Sequence, residues 1–338
     1  MTQPTEASIA ILLVWLFLYI YSMAGSVDFG ASFWALVHAG KRSQASRLAN
    51  RFLSPTWEVT NTILVMLVVM VVGFFPKAAF MLGTVLLFPV SIILVFVALR
   101  GTFMVLAYSA EGSEKGLRLV SGIAGLLVPA LLISALPVTE GGFIRVVDGQ
   151  AVFLFDKWIS SPSVYLYMLF GLTSELFLSS LFLTSYSKGA DSEAYSMYRK
   201  QAIWFGPVAI IVAVLTLLFL EPEANWLLQN LARQRNLFVL SFISFLLGYF
   251  LLCWKKGNLR LSMIFIALQY LLAAFAYGLA HLPYIVYPYL TVGEAFTNIN
   301  TFYTLLKVLV IGIAILLPGF IVFWRFFLKD KGYLTTHE

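Results

Sequence analysis

Residues Ser26 to Asn61 read SVDFGASFWALVHAGKRSQASRLANRFLSPTWEVTN, and the alternation of apolar runs and charges in them decides the fold. An apolar run holding Asp28 ends near His38, a short basic loop follows, and a second apolar run opens at Ser54-Pro55 with Glu58 close behind. A carboxylate inside hydrocarbon is costly unless it faces other protein or water. Asp28 and Glu58 are therefore candidate functional residues.

The rest of the chain supplies the membrane. Of 338 residues, 61% are hydrophobic and 11% charged, with a mean hydropathy of +0.91, which excludes a water-soluble domain. Apolar runs of roughly 20 residues, enough to cross about 30 Å of hydrocarbon, fall near Ala7–Val37, Pro55–Phe75, Ala79–Tyr108, Leu117–Leu136, Ser163–Ser187, Gln201–Leu220, Asn236–Trp254, Leu261–Ala280 and Phe302–Leu328. The fold class is all-α, a polytopic membrane protein of nine transmembrane helices. Two four-helix bundles are expected, residues 1–136 and 163–281, separated by an outer loop at 137–162. Residues 282–338 add a second outer loop, a peripheral ninth span and a tail. The long outer connections are expected to hold no folded domain, and the first apolar run is read as a span rather than a removed signal peptide.

The net charge of +6 does not point to nucleic acid, because the basic residues fall in short loops between spans. With the N-terminus outside, fifteen of them, including Lys41, Arg42, Arg47 and Arg51, lie on the cytoplasmic side. Five lie on the other side, and Arg100 and Lys307 lie within spans. The positive-inside rule thus predicts an outside N-terminus and a cytoplasmic C-terminus. Six tryptophans, among them Trp158, Trp204, Trp226 and Trp254, fall near span ends, as interfacial aromatic rings do. The single cysteine, Cys253, excludes an internal disulfide and is expected to be a packing residue.

Asp28 precedes His38 by about ten residues, or about 15 Å of helix, which places it inside the hydrocarbon. Ser54 is expected to cap the second span, with Pro55 at its first position and Glu58 in its first turn. Arg100, near the end of the third span, reaches a similar depth, so the three charges and Asn61 are expected to form one cluster. Two readings remain open. Asp28 and Arg100 can be a buried ion pair that holds helices together while Glu58 complements a helix dipole. Alternatively, acids at stepped depths relay protons inward, with Thr56, Thr60, Asn61 and trapped water between them. Glu175, in the middle of the fifth span, can extend such a path, bond to Ser174 or Ser179, or sit neutral. Lys307 can snorkel outward.

Haem needs an axial ligand at membrane depth, but His38, His281 and His337 sit at span ends or in the tail, and scattered methionines in apolar helices are packing residues. No Walker A pattern, dinucleotide turn or nucleophile elbow occurs. This chain is expected to bind no metal or cofactor by itself.

From Asp28 to Glu58 the sequence resembles subunit II of the cytochrome bd-type quinol oxidases. The family pattern of Phe-Asp-x-Gly, a basic loop and Pro-x-Trp-acid is matched by Val27-Asp28-Phe29-Gly30, the loop Lys41 to Arg51, and Pro55-Thr56-Trp57-Glu58. Phe75-Pro76 and Leu99-Arg100-Gly101 extend the match over the first 108 residues. Three departures mark a divergent branch: Val27 in place of Phe, Glu58 where many members carry Asp, and Thr60 where Asn is usual, with Asn61 one place later.

The resemblance implies that the chain is the haem-poor partner of a subunit I, the pair oxidising quinol and reducing dioxygen to water in a prokaryotic cell membrane. It implies haem b and haem d in subunit I, an additional small single-span subunit, room for a bound structural quinone, and a scaffold and proton-input role for this chain, for which the residues singled out by depth and charge, Asp28, Glu58, Asn61, Arg100 and Glu175, are the candidate proton path. The competing reading is a proton-coupled secondary transporter, which also uses intramembrane acids and interrupted helices. A haem spectrum in the purified complex separates the two.

Overall fold

The structure, a computed structural model, describes residues 4–38, 44–107, 114–254 and 256–328. Part of the basic loop and the tail with His337 lie outside the described residues, as does the Thr56 side chain.

Long helices dominate. The first half consists of α1 (Thr5–Val37), α2 (Gln44–Phe74), α3 (Pro76–Val85), α4 (Leu87–Ala107) and α5 (Glu114–Ile133). A connection of α6 (Leu136–Glu140), the antiparallel strands β1 (Ile144–Val147) and β2 (Gln150–Phe153), and α7 (Phe155–Ser160) leads to the second half. There α8 (Pro162–Ser187), α9 (Ser192–Leu218), a 3-10 turn at Pro222–Ala224, α10 (Asn225–Arg233), α11 (Arg235–Cys253) and α12 (Leu259–His281) follow. A second hairpin, β3 (Tyr284–Val286) and β4 (Leu290–Thr291), and the short α13 (Val292–Ala295) precede α14 (Ile299–Leu328). Eight of the described helices are long and apolar enough to cross a membrane. The pair α3 and α4, bent by 84°, adds a ninth crossing if counted as one. The chain is an all-α polytopic membrane protein.

Helix starts follow local chemistry. The Ser161 hydroxyl accepts from the Ser163 N–H ahead of Pro162, and the Asp191 carboxylate accepts from Ala194 N–H at 2.7 Å. Asn258 accepts from the N–H groups of Arg260 and Leu261, so each of these helices has first-turn donors satisfied by a side chain.

Two span boundaries differ from the sequence reading. The second helix begins at Gln44, so Ser54 does not cap it and Glu58 does not lie in its first turn. The early turns stay helical because Ala45, Leu48 and Ala49 are buried in the main core, where the Tyr198 hydroxyl donates to Ala45 O and the Ser46 hydroxyl to Ala35 O. The third span, expected as one helix, breaks at Leu86. Pro89 has no N–H to bond back into a preceding turn, so it is tolerated near the start of a new helix and not in the interior of a continuous one.

Packing ties the halves together. Helix α1 lies on α2 and α5, α4 on α5, α8 on α9 and α11 on α12, while α1 and α5 both pack against α8. Helix α14 runs along α2 and touches α1 lightly. One core joins Ala31, Trp34 and Ala35 of α1 to Phe177, Leu181 and Leu183 of α8 and to Tyr198 and Ala202 of α9.

The connections at the end opposite the basic loops are folded, contrary to expectation. Val138, Phe143, Ile144, Trp158 and Val286 form a buried cluster with Val85 and Leu86. Within this cap Trp158 donates to Ser134 O and Trp226 to Glu140 O, so these two rings are packed inward. Trp204 and Trp254 remain exposed, as interfacial rings should. Cys253 is also exposed and is not a packing residue.

Candidate functional site

Asp28 points from α1 toward α4 and meets Arg100. The guanidinium Nη1 donates to Asp28 Oδ2 at 2.9 Å, and the two side chains are 1% and 4% exposed. Arg100 also donates to the Ser32 hydroxyl, from Nε at 3.1 Å and Nη2 at 2.9 Å, and from Nη2 to Asp28 O at 3.3 Å. Its plane lies over the Phe29 ring, 4.5 Å from the centroid. Ser32 follows Asp28 by four residues and so shares its helix face. The guanidinium is held by four hydrogen bonds and a ring contact, all from one turn of α1, which balance its removal from water.

Two glycines bring other helices up to this turn. A Cβ on Gly125 of α5 would stand 2.7 Å from Phe29 O, and one on Gly30 would stand 2.3 Å from the Ser179 hydroxyl of α8. The Gly30 of the sequence pattern thus has a steric reason, the close approach of α1 to α8. Gly101, beside Arg100, faces Trp57 of α2.

Glu58 stands apart from the pair. It is exposed on α2 and lines a cleft of about 230 Å³ with Val59, Thr62, Ile315, Leu316, Gly319 and Phe320, between α2 and α14. Its carboxylate makes no hydrogen bond among the described residues, while its backbone carbonyl accepts from the Thr62 hydroxyl at 2.8 Å. Thr60 is buried and Asn61 half-buried on the turn between the cleft and the interior. The single cluster of three charges is thus resolved into an interior pair and an acid at a surface cleft between α2 and α14.

Glu175 lies on α8 with no exposed surface, within electrostatic range of Arg100 and Asp28. Neither carboxylate oxygen has a hydrogen-bond partner among the described residues. Ser179 donates to the backbone carbonyl of Glu175 at 2.6 Å, not to its side chain. Lys307 is exposed on α14.

Another buried carboxylate lies outside everything the sequence suggested. Glu140, 1% exposed at the end of α6, accepts from the hydroxyls of Tyr167 and Tyr277, the latter at 2.5 Å. These bonds link α6 to α8 and α12. No spacing rule would have found it, because the three residues come from distant parts of the chain; Ser32, four residues after Asp28, could have been found.

His38 closes α1, its ring stacked on Trp34 at 6.0 Å and its Nε2 3.1 Å from Gln201 Nε2. His281 lies between Trp226 and Tyr277. No group of three or more His, Cys, Asp or Glu side chains placed to hold a metal ion occurs among the described residues.

Comparison with known proteins assigns this architecture. Residues 6–327 match the family described as cytochrome bd terminal oxidase subunit II. A Bacillus subtilis (strain 168) protein named for cytochrome bd menaquinol oxidase subunit II is 43% identical over 347 aligned residues, covering all of both chains. The solved structure of the bd oxidase from Geobacillus thermodenitrificans contains a chain that superposes with a TM-score of 0.85 at 33% identity, covering 97% of this chain and 100% of that one. Between oxidase subunit and transporter, these matches decide for the oxidase subunit. The chain belongs to the cytochrome bd terminal oxidase subunit II family and is a subunit of an oxidoreductase complex of the bacterial membrane.

Proposed function

We propose that this chain is the proton-input and scaffold subunit of its oxidase. A subunit I partner carries haem b and haem d and performs quinol oxidation and dioxygen reduction, and a small single-span subunit and a structural quinone complete the assembly. The quinol is a menaquinol, a reading supported by the relative with 43% identity. The N-terminus is outside and the C-terminus cytoplasmic, as the basic loops favour. The helices of residues 1–136 and 163–281 act as two four-helix units, with α14 outside them.

Protons enter from the cytoplasmic side at Glu58, pass Asn61 and buried Thr60, and reach the level of Asp28, Arg100 and Glu175. The observation that carries this reading is the position of Glu58, an exposed acid at a cleft, on the helix whose buried Thr60 packs beside Gly25 of α1, one turn before Asp28. An exposed carboxylate that makes no hydrogen bond among the described residues can take up and release protons.

The test is Glu58→Gln in the assembled complex. Steady-state oxygen consumption should slow while haem content is unchanged, and Glu58→Asp should retain much of the rate. Wild-type turnover by Glu58→Gln across the working pH range would leave only the scaffold role.

A further inference from the structure

The buried ring of His38 closes α1 at the basic end of the chain, face to face with Trp34 and edge-on to Tyr198 at 5.7 Å. Its Nε2 lies 3.1 Å from Nε2 of Gln201 on α9. A carboxamide nitrogen only donates, so this contact uses the lone pair of a His38 Nε2 that carries no proton, and the imidazole is neutral. The other end of the same carboxamide, Gln201 Oε1, is buried and has no hydrogen-bond partner among the described residues. A buried acceptor left unmatched is costly. Here it sits on the same amide as a donor that faces a titratable ring.

Protonation reverses what the ring needs. An imidazolium has an N–H at both ring nitrogens and accepts nothing, so its Nε2–H would oppose the Gln201 amide hydrogens. Turning the carboxamide by half a revolution about its last side-chain bond brings Oε1 to Nε2–H and gives both groups a partner. The new bond has a charged donor and is stronger than the one it replaces. Two features of the setting favour the cation. His38 is the C-cap of α1, at the negative end of the helix dipole. The Trp34 indole presents its face, with ring centroids 6.0 Å apart and planes 11° apart. Burial opposes the charge.

Of the titratable and charged groups around the ring, Tyr198 faces it from α9. Arg199 is turned away, its guanidinium donating to Leu252 O and Cys253 O of α11, and Lys200 is exposed. On α2, Arg47 donates to Gln44. Lys41 and Arg42 lie outside the described residues.

We propose that His38 and Gln201 form a proton-operated latch between the two halves of the chain, which tightens when the medium at the basic end turns acidic. The proton comes from water at that surface and is taken up by the Nε2 lone pair. The bond from the Gln201 amide to that atom breaks, the bond from Nε2–H to Oε1 forms, and no electron or other bond is involved. The latch fastens the end of α1, about three helical turns beyond Asp28, to α9. Acidity thus acts on the helix that carries Asp28 without a proton travelling to that residue. The latch does not rest on the reading of this chain as the proton-input subunit.

The test uses the purified, haem-loaded complex at about pH 5.5 and about pH 7.5, either side of the ordinary histidine range. In wild type, hydrogen-exchange protection factors of residues 34–38 and 198–205 should be several-fold higher at the lower pH. His38→Phe keeps a ring against Trp34 but takes up no proton, and it should show no such rise. Gln201→Glu offers an acceptor only and should hold the higher protection at both pH values. The infrared difference between the two pH values should contain a side-chain amide C=O band that is missing in Gln201→Leu.

Equal wild-type protection at the two pH values would overturn the latch, and that measurement needs no variant to assemble. A rise of the same size in His38→Phe would assign the response to another group and overturn it as well. So would an amide band that persists in Gln201→Leu.

Discussion

Arg100 of α4 and Asp28 of α1 form an ion pair, Nη1 to Oδ2 at 2.9 Å, at a place where solvent reaches neither side chain appreciably. Protonating Asp28 would strand a guanidinium in low dielectric, so the pair fastens α4 to α1 more readily than it carries protons. Breaking one partner of a buried pair costs about 3–5 kcal/mol, much of it from the charge left behind. Asp28→Asn should accordingly lower the yield of haem-loaded complex, and a joint Asp28→Leu, Arg100→Met variant should recover most of it. Full assembly of Asp28→Asn with slow turnover would instead make Asp28 a relay.

Gly30→Ala should destabilise the α1–α8 contact by about 1–3 kcal/mol, the usual cost of overpacking, because the new Cβ would stand 2.3 Å from Ser179 Oγ and 2.5 Å from Ser179 Cβ. Ser179→Gly removes both atoms and should rescue it, whereas Ser179→Ala should not. The measurement is the thermal midpoint of the detergent-solubilised complex. Equal midpoints for wild type and Gly30→Ala would show that the helices separate freely here.

On the cap, Lys157 donates to Glu223 at 2.6 Å, and this bond, ahead of the charge itself, holds the Glu223 carboxyl below its usual range against a smaller opposing effect of burial. A carboxylate lowered in the folded state stabilises above its unfolded value and loses that contribution as pH falls through the folded one. Both groups are more than a third exposed, so the effect is small. Between about pH 6 and about pH 3, spanning the ordinary carboxylate range, hydrogen-exchange protection factors of residues 143–158 should fall in wild type and fall less in Glu223→Gln. Identical losses would remove the pair from the stability of the cap.

The orientation predicts that a reporter fused after Glu338 is active only as a cytoplasmic marker and that a tag before Met1 is reached from outside intact cells. A shielded N-terminal tag would move Glu58 to the outer side and end its part in cytoplasmic uptake.

Much of this was legible in the sequence. Counting residues from His38 and from the end of the third span put Asp28 and Arg100 at matching depths, because a helix rises uniformly. The family pattern singled out Gly30 without explaining it; the explanation needed α8, which lies far along the chain. Ser54-Pro55 read as a helix start because serine and proline often open helices, but burial of Ala45, Leu48 and Ala49 outweighed that local signal. Glu140 was invisible because its partners, Tyr167 and Tyr277, carry no mark of pairing in one dimension.

The cap joins pieces made far apart in time. Tyr287 N–H donates to Thr139 O, and the Tyr289 hydroxyl to Ile144 O across 145 residues of chain, while Val286 fills the cluster around Phe143 and Trp158. During synthesis the first hairpin and its neighbours must wait, with an apolar slot open, until four further long helices have been made and the segment after α12 has crossed to the same side. Insertion of the second half is therefore a condition for finishing the first, and a nascent chain stopped before Tyr284 would present that unfilled slot to the quality-control proteases of its membrane.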